Sequence, residues 1–250
     1  MPFPTIIFVP GAWHPPTCFA QVLRPLTSAG YPTTLVPLPT INPQTPHADW
    51  SADVAAIRTA ITAAADAGQH ILLVVHSYGG LPGSEAARDL DVATRARKNL
   101  PGGVVRLLYV CAFMVPRGAS LLEAVGGADL DWWDVAADRR TLVPRDPGRV
   151  FYNDLPEGGE GVRAAVAALR PQSYGAFVTR VTYEAWRDVP TTYVYCLRDN
   201  AIDIEVQRGL VEGVAAGVDI ATETLDAGHS PFYSVPGELV AVIRRAAGEI

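Results

Sequence analysis

Six short runs of β-branched and aliphatic residues recur along this chain: TIIFV (5–9), TTLVP (33–37), HILLVV (70–75), VVRLLYVC (104–111), TTYVYCL (191–197) and DIATETL (219–225). Most are too uniformly apolar to leave one face wet, so they read as strands of a mostly parallel sheet covered on both sides. Between them, residues 17–28, 51–66, 80–90, 203–216 and 235–247 have helical period and Ala-rich composition. This alternation predicts an α/β fold with an open, mostly parallel sheet flanked by helices. The alternation breaks from about Pro116 to Asp188, where no strand run is visible and Trp, Pro, Gly and Arg become frequent. That stretch reads as an insertion over the C-terminal edge of the sheet, where ligands bind in such folds. The expected organisation is a core of residues 1–115 and 188–250 with an insertion at 116–187.

Composition narrows the partners. With 250 residues, 49% hydrophobic and 18% charged, the chain can bury one large core. A formal net charge of -6 offers no basic stripe for phosphates and no attraction to anionic membranes, so neither nucleic acid nor membrane is an expected partner. The segment MPFPTIIFVPG has no Lys or Arg ahead of its short apolar run, and VVRLLYVCAFMVP is interrupted by Arg106, so a cytoplasmic location is expected. Cys18, Cys111 and Cys196 are far apart and show no metal-ligand spacing; they read as free thiols, with no metal or cofactor expected. Lys98 is the single lysine among 20 basic residues. Schiff-base chemistry, a Ser-x-x-Lys nucleophile and a P-loop therefore all lack their ammonium group.

The run at 70–75 delivers His76-Ser77-Tyr78-Gly79-Gly80 to the sheet edge, and a helix follows at once. So tight a strand-to-helix turn strains its central residue and projects that side chain outward. Ser77 is either a simple helix N-cap or a nucleophile at a helix N-terminus, where negative charge is favoured. A serine needs a base and a group to orient that base, expected after later strands in the order Ser, acid, His. TTYVYCL ends in RDNAID, which puts Asp199 past the edge, and DIATETL ends in DAGHSPFY, which puts His229 there. Asp226 competes as the acid from within the His229 loop, Asp203 should start the next helix, and His76 should point away from the site. For the oxyanion, the Tyr78 N–H is one donor. The loop VPGAWHPPTCF offers the other, with Gly11 allowing a turn that aims the Ala12 N–H. For Trp13 and His14, loop packing and a place in the cleft wall stand level.

FVPGAWH, VVHSYGG, CLRDNAI and DAGHSPF together resemble the α/β-hydrolase superfamily. They are most similar to its small branch of plant methylesterases, hydroxynitrile lyases and bacterial and fungal esterases. The resemblance covers nearly the whole chain and is weakest in the insertion, which that family calls a cap. It implies Ser77, Asp199 and His229 as catalytic triad, with Ala12 and Tyr78 as oxyanion donors. Two positions depart from the pattern: Val75 opens G-x-S-x-G, crowding the turn, and Pro10 stands where many relatives have His. Hydroxynitrile lyases of this branch carry Lys directly after the catalytic His, where this chain has Ser230.

The expected activity is cleavage of a small to medium ester or lactone through an acyl-enzyme. The alternatives are carbon–carbon bond cleavage on the same triad, or a receptor that kept the fold and lost catalysis. Eight of the chain's 21 aromatic residues lie between Pro116 and Asp188. Tyr183 and Trp186 read as packing, but adjacent Trp132 and Trp133 cannot easily face one core. At least one should face the cleft, which makes them, with Trp13, the expected wall of an apolar or aromatic substrate site.

Overall fold

The computed structural model describes residues 3–249. Six strands form the main sheet: β1 (Thr5–Val9), β2 (Thr33–Leu35), β3 (His70–His76), β4 (Gly103–Val110), β8 (Thr191–Cys196) and β9 (Ile220–Leu225). Their order is β2-β1-β3-β4-β8-β9, and each neighbouring pair is parallel. Alternation along the central strands divides the core between two faces. Ile7, Val9, Leu73 and Val75 pack on the side of helix α2 (Ser51–Asp66), while Ile6, Phe8, Leu72 and Val74 pack against α1 (Ala20–Ser28) and helix Pro236–Ala246. Both faces are dry, which is why these runs show no polar alternation.

Boundaries moved where local chemistry intervened. The second strand stops at Leu35: the Val36 N–H still bonds the Phe8 carbonyl at 3.0 Å, and Pro37 has no N–H to continue. The helix expected over 80–90 is α3 (Gly80–Ala86), and a separate helix, Val92–Arg97, begins at Asp91, whose carboxylate accepts the Thr94 N–H at 2.8 Å. Asp203 caps helix Ile204–Arg208 by accepting the Glu205 and Val206 amides, as its position suggested, and the chain continues in a wider π-helical turn over Gly209–Val214.

The stretch 116–187 is not free of strands. It holds a second, antiparallel sheet of β5 (Trp133–Val135), β6 (Thr141–Pro144) and β7 (Gln172–Ser173), in the order β5-β6-β7. Strands of three, four and two residues carry too little periodicity to be seen in sequence. Among the described residues no helix is long and apolar enough to cross a membrane.

Candidate active site

Strand β3 ends at His76, and Ser77 takes the left-handed conformation, φ 53°, before α3 begins. The strain expected of the turn is present, and the packing around it holds it in place. Val75, the residue that departs from G-x-S-x-G, is accommodated from α3: a Cβ on Gly83 would lie 2.6 Å from a Val75 methyl. The crowding expected of Val75 is thus relieved one helical turn away.

Ser77 is buried, with its Oγ 3.0 Å from His229 Nε2. His229 Nδ1 lies 2.7 Å from Asp199 Oδ2. Both contacts are satisfied by one tautomer, with Nδ1–H donating to the carboxylate and Nε2 accepting the serine proton. The other oxygen of Asp199 accepts the Ala201 and Ile202 amides at 2.7 and 2.9 Å, which fixes the carboxylate's orientation. Asp226, the competing acid, is 76% exposed and pairs with Arg198 at 2.8 Å. Burial separates the two carboxylates, and only Asp199 reaches the imidazole.

His76 lies behind His229: its Nε2 is 2.8 Å from the His229 carbonyl, and the rings are 4.7 Å apart. For this bond Nε2 must carry the proton and donate. Burial holds its imidazole well below the usual histidine range. His76, Cys111 and His229 bring ligand-type atoms within 4.8 Å of one another. Both ring nitrogens of His229 are already engaged, and burial pushes the Cys111 thiol up, away from the thiolate a metal would need.

The loop after β1 approaches the serine from the other side. Gly11 is required here for space, because its φ is not left-handed and a Cβ would lie 2.8 Å from Ser77 Cβ and 2.6 Å from His76 Nδ1. The left-handed residue of this turn is Trp13, φ 64°. Its indole N–H donates to the Leu142 carbonyl at 3.1 Å. His14 Nδ1 contacts the Ala12 carbonyl at 2.7 Å and Nε2 contacts Tyr152 Oη at 3.0 Å, and burial lowers the His14 pKa to about 4.

These residues enclose a narrow cavity, lined by Ser77, His229, Ala12 and Tyr78 together with an aromatic wall. Trp13, Trp132 and Trp133 all line it. The two tryptophans can share one site because the chain turns between Leu130 and Trp133, whose N–H reaches the Leu130 carbonyl at 2.8 Å, and their rings meet edge to face at 5.9 Å. Sequence reading missed Phe151 and Phe177, which complete the wall; single aromatics without periodicity give no signal. Trp186 is buried away from the cavity, as packing predicts, and Tyr183 bonds Asp188.

The profile of the Alpha/beta hydrolase family matches residues 6–242. An alpha/beta hydrolase of Aspergillus novofumigatus is 35% identical over 255 residues, covering 98% of this chain and 97% of that one. The chain belongs to the alpha/beta hydrolase family. Within that family it is similar to a pyrethroid hydrolase of Sphingobium wenxiniae, 29% identical over 95% of this chain and 85% of that one. The crystal structure of a methylesterase from Arabidopsis superposes with a TM-score of 0.75 at 23% identity, covering 98% of this chain and 99% of that one, and shares this α/β-hydrolase fold.

Proposed function

We propose that this α/β-hydrolase is a serine hydrolase that cleaves a carboxylic ester or lactone of small to medium size, with an apolar or aromatic group. Ser77 attacks the carbonyl, His229 takes and returns the proton, and Asp199 holds the imidazole in the productive tautomer. The Ala12 and Tyr78 amides receive the oxyanion, and water clears the acyl-enzyme. Residues 116–187 act as a cap on a core of 1–115 and 188–250, and Trp13, Trp132 and Trp133 meet the substrate. The observation that carries this reading is the unbroken line from Ser77 Oγ through His229 to Asp199, at 3.0 and 2.7 Å, opening on an apolar cavity. The hydrolase and methylesterase relatives support it.

A fluorophosphonate probe tests the reading. It should attach at Ser77, and the protein should release product from members of an ester and lactone panel. Ser77→Ala should abolish labelling and lower kcat by about four to six powers of ten with the fold intact. An adduct at another residue, or undiminished turnover in Ser77→Ala, would overturn the assignment.

A further inference from the structure

Behind the Tyr78 ring, helix α2 carries Asp53 on its buried face, in line with Ile57 and Ile61. This carboxylate is fully buried and accepts three hydrogen bonds: Thr40 N–H at 2.9 Å, Thr40 Oγ–H at 2.7 Å and Tyr78 Oη–H at 2.7 Å. All three donors are neutral. Thr40 Oγ in turn accepts from Gln172 Nε2 at 3.1 Å, and Gln172 Oε1 accepts the Trp13 backbone N–H at 3.0 Å. The orientation of the Gln172 amide is dictated, because a backbone N–H can only donate and must face the oxygen.

The chain of bonds therefore begins on the residue after Ser77, crosses α2 and the β7 strand of the inserted segment, and ends on the residue after Ala12. Every side chain along it is buried. Trp13 is bound on all its polar groups by that segment: its N–H by Gln172, its carbonyl by the Arg170 N–H at 2.9 Å, and its indole by Leu142. This is what holds a tryptophan in a left-handed backbone that few side chains adopt. It also commits the Trp13 amide, so the loop's donor to a substrate oxygen falls to Ala12, the cavity-lining residue before it.

Resting on the hydrolase reading above, we infer that Gln172, Thr40 and Asp53 are positioning residues that set the placement of the Ala12 and Tyr78 amides relative to each other. Neither Gln172 nor Asp53 lines the cavity; each bonds a residue that does. Their effect is on where two N–H groups stand when charge develops on the carbonyl oxygen. Preorganised donors act in the transition state more than on bound substrate, so disturbing the network should lower kcat and spare KM.

The decisive readout compares p-nitrophenyl acetate with its thionoester, in which sulfur replaces the carbonyl oxygen. Sulfur is a poor acceptor on a longer bond, so the rate ratio of the two esters reports how well the amides fit an oxyanion. Gln172→Met keeps the volume and removes the acceptor. It should lower kcat on the oxygen ester by about 10- to 100-fold, short of the roughly 10²- to 10³-fold loss on deleting a donor outright. KM should stay within about two-fold, and the oxygen-to-sulfur ratio should shrink by the same factor as kcat. Tyr78→Phe breaks the other end of the chain while keeping a ring to stack on Phe177, and should show the same selective loss; it decides the matter if Gln172→Met does not fold. Equal losses on both esters, or none in either variant, would overturn the inference while leaving a Ser77-dependent hydrolase in place. A wild-type protein inert to both esters and unlabelled at Ser77 would overturn the hydrolase reading, and this inference with it.

Discussion

The main sheet and the segment 116–187 place their residues by different means. In the sheet, Ser77, Asp199 and His229 follow the C-terminal ends of β3, β8 and β9, and parallel registry over four to seven residue pairs per neighbour from β3 to β9 carries each loop to the same edge. In the inserted segment the strands have three, four and two residues, and what locates Trp132, Phe151 and Gln172 is contact with the core itself. The sheet fixes positions through backbone repetition, and the insertion fixes them through individual side chains. A change at a strand end should therefore remove a function outright, whereas one in the insertion should adjust it.

The largest expected effect lies in the sheet. Asp199→Asn should keep the fold and lower kcat by roughly 10⁴, since an amide favours the wrong imidazole tautomer. Asp226→Asn should leave kcat within about two-fold, because its carboxylate faces solvent and Arg198. A reversed pair of results, from steady-state kinetics and thermal unfolding of both variants, would move the acid to the His229 loop.

A middle-sized effect is expected at the seam between the two regions, where His14 of the β1 loop meets Tyr152 of the insertion. The folded protein keeps His14 neutral down to about pH 4, whereas the unfolded chain takes up that proton near pH 6.5. Between those values the unfolded state binds more protons, so stability falls as the pH drops from about 6.5 to 4, by up to about 3 kcal/mol from this group. His76, also buried and lowered, adds in the same direction. Unfolding free energies measured across this range should have a shallower pH slope in His14→Gln than in wild type. An unchanged slope would show that His14 is not the titrating group.

The smallest effects belong to the cavity wall. Trp132→Ala and Trp133→Ala should shift kcat/KM toward bulkier esters, with discrimination changing by about 0.8 kcal/mol for each methylene that gains or loses burial. Trp133 is buried and starts β5, so its loss should also lower Tm, while the half-buried Trp132 should change selectivity with less cost to stability. If both variants keep the wild-type order and rates across an ester series, the insertion's contribution to selectivity lies with Phe151 and Phe177.

Much of the main sheet was readable because its physics repeats. Runs buried on both faces must be apolar throughout, as in ILLVV of β3, and turns this tight must be lined by small residues, as at Gly79 and Gly80. The common edge of Ser77, Asp199 and His229 followed from each lying just past an apolar run of a parallel sheet, and their pairing from the expected order serine, acid, histidine. The inserted sheet was invisible because two to four residues complete no period, and its hydrogen bonds are made with partners distant in sequence. Asp53 did leave a trace: an acid at the head of the Asp53, Ile57, Ile61 stripe is a polar group on a buried helix face and must have partners. What those partners are could not be read from α2.

By itself, then, the sequence determined an α/β fold, the strand ends that carry a serine, an acid and a histidine, and an aromatic-rich interruption between the fourth and fifth strands of the sheet. Local patterning is enough for these, since burial and tight turns impose their demands on neighbouring residues. Only the tertiary structure decided that Asp199 and not Asp226 meets His229, that Trp132 and Trp133 share one cavity, and that Gln172 reaches Trp13 across 159 positions of chain. These are contacts between side chains whose separation is set by how layers pack, and no local repeat encodes that distance.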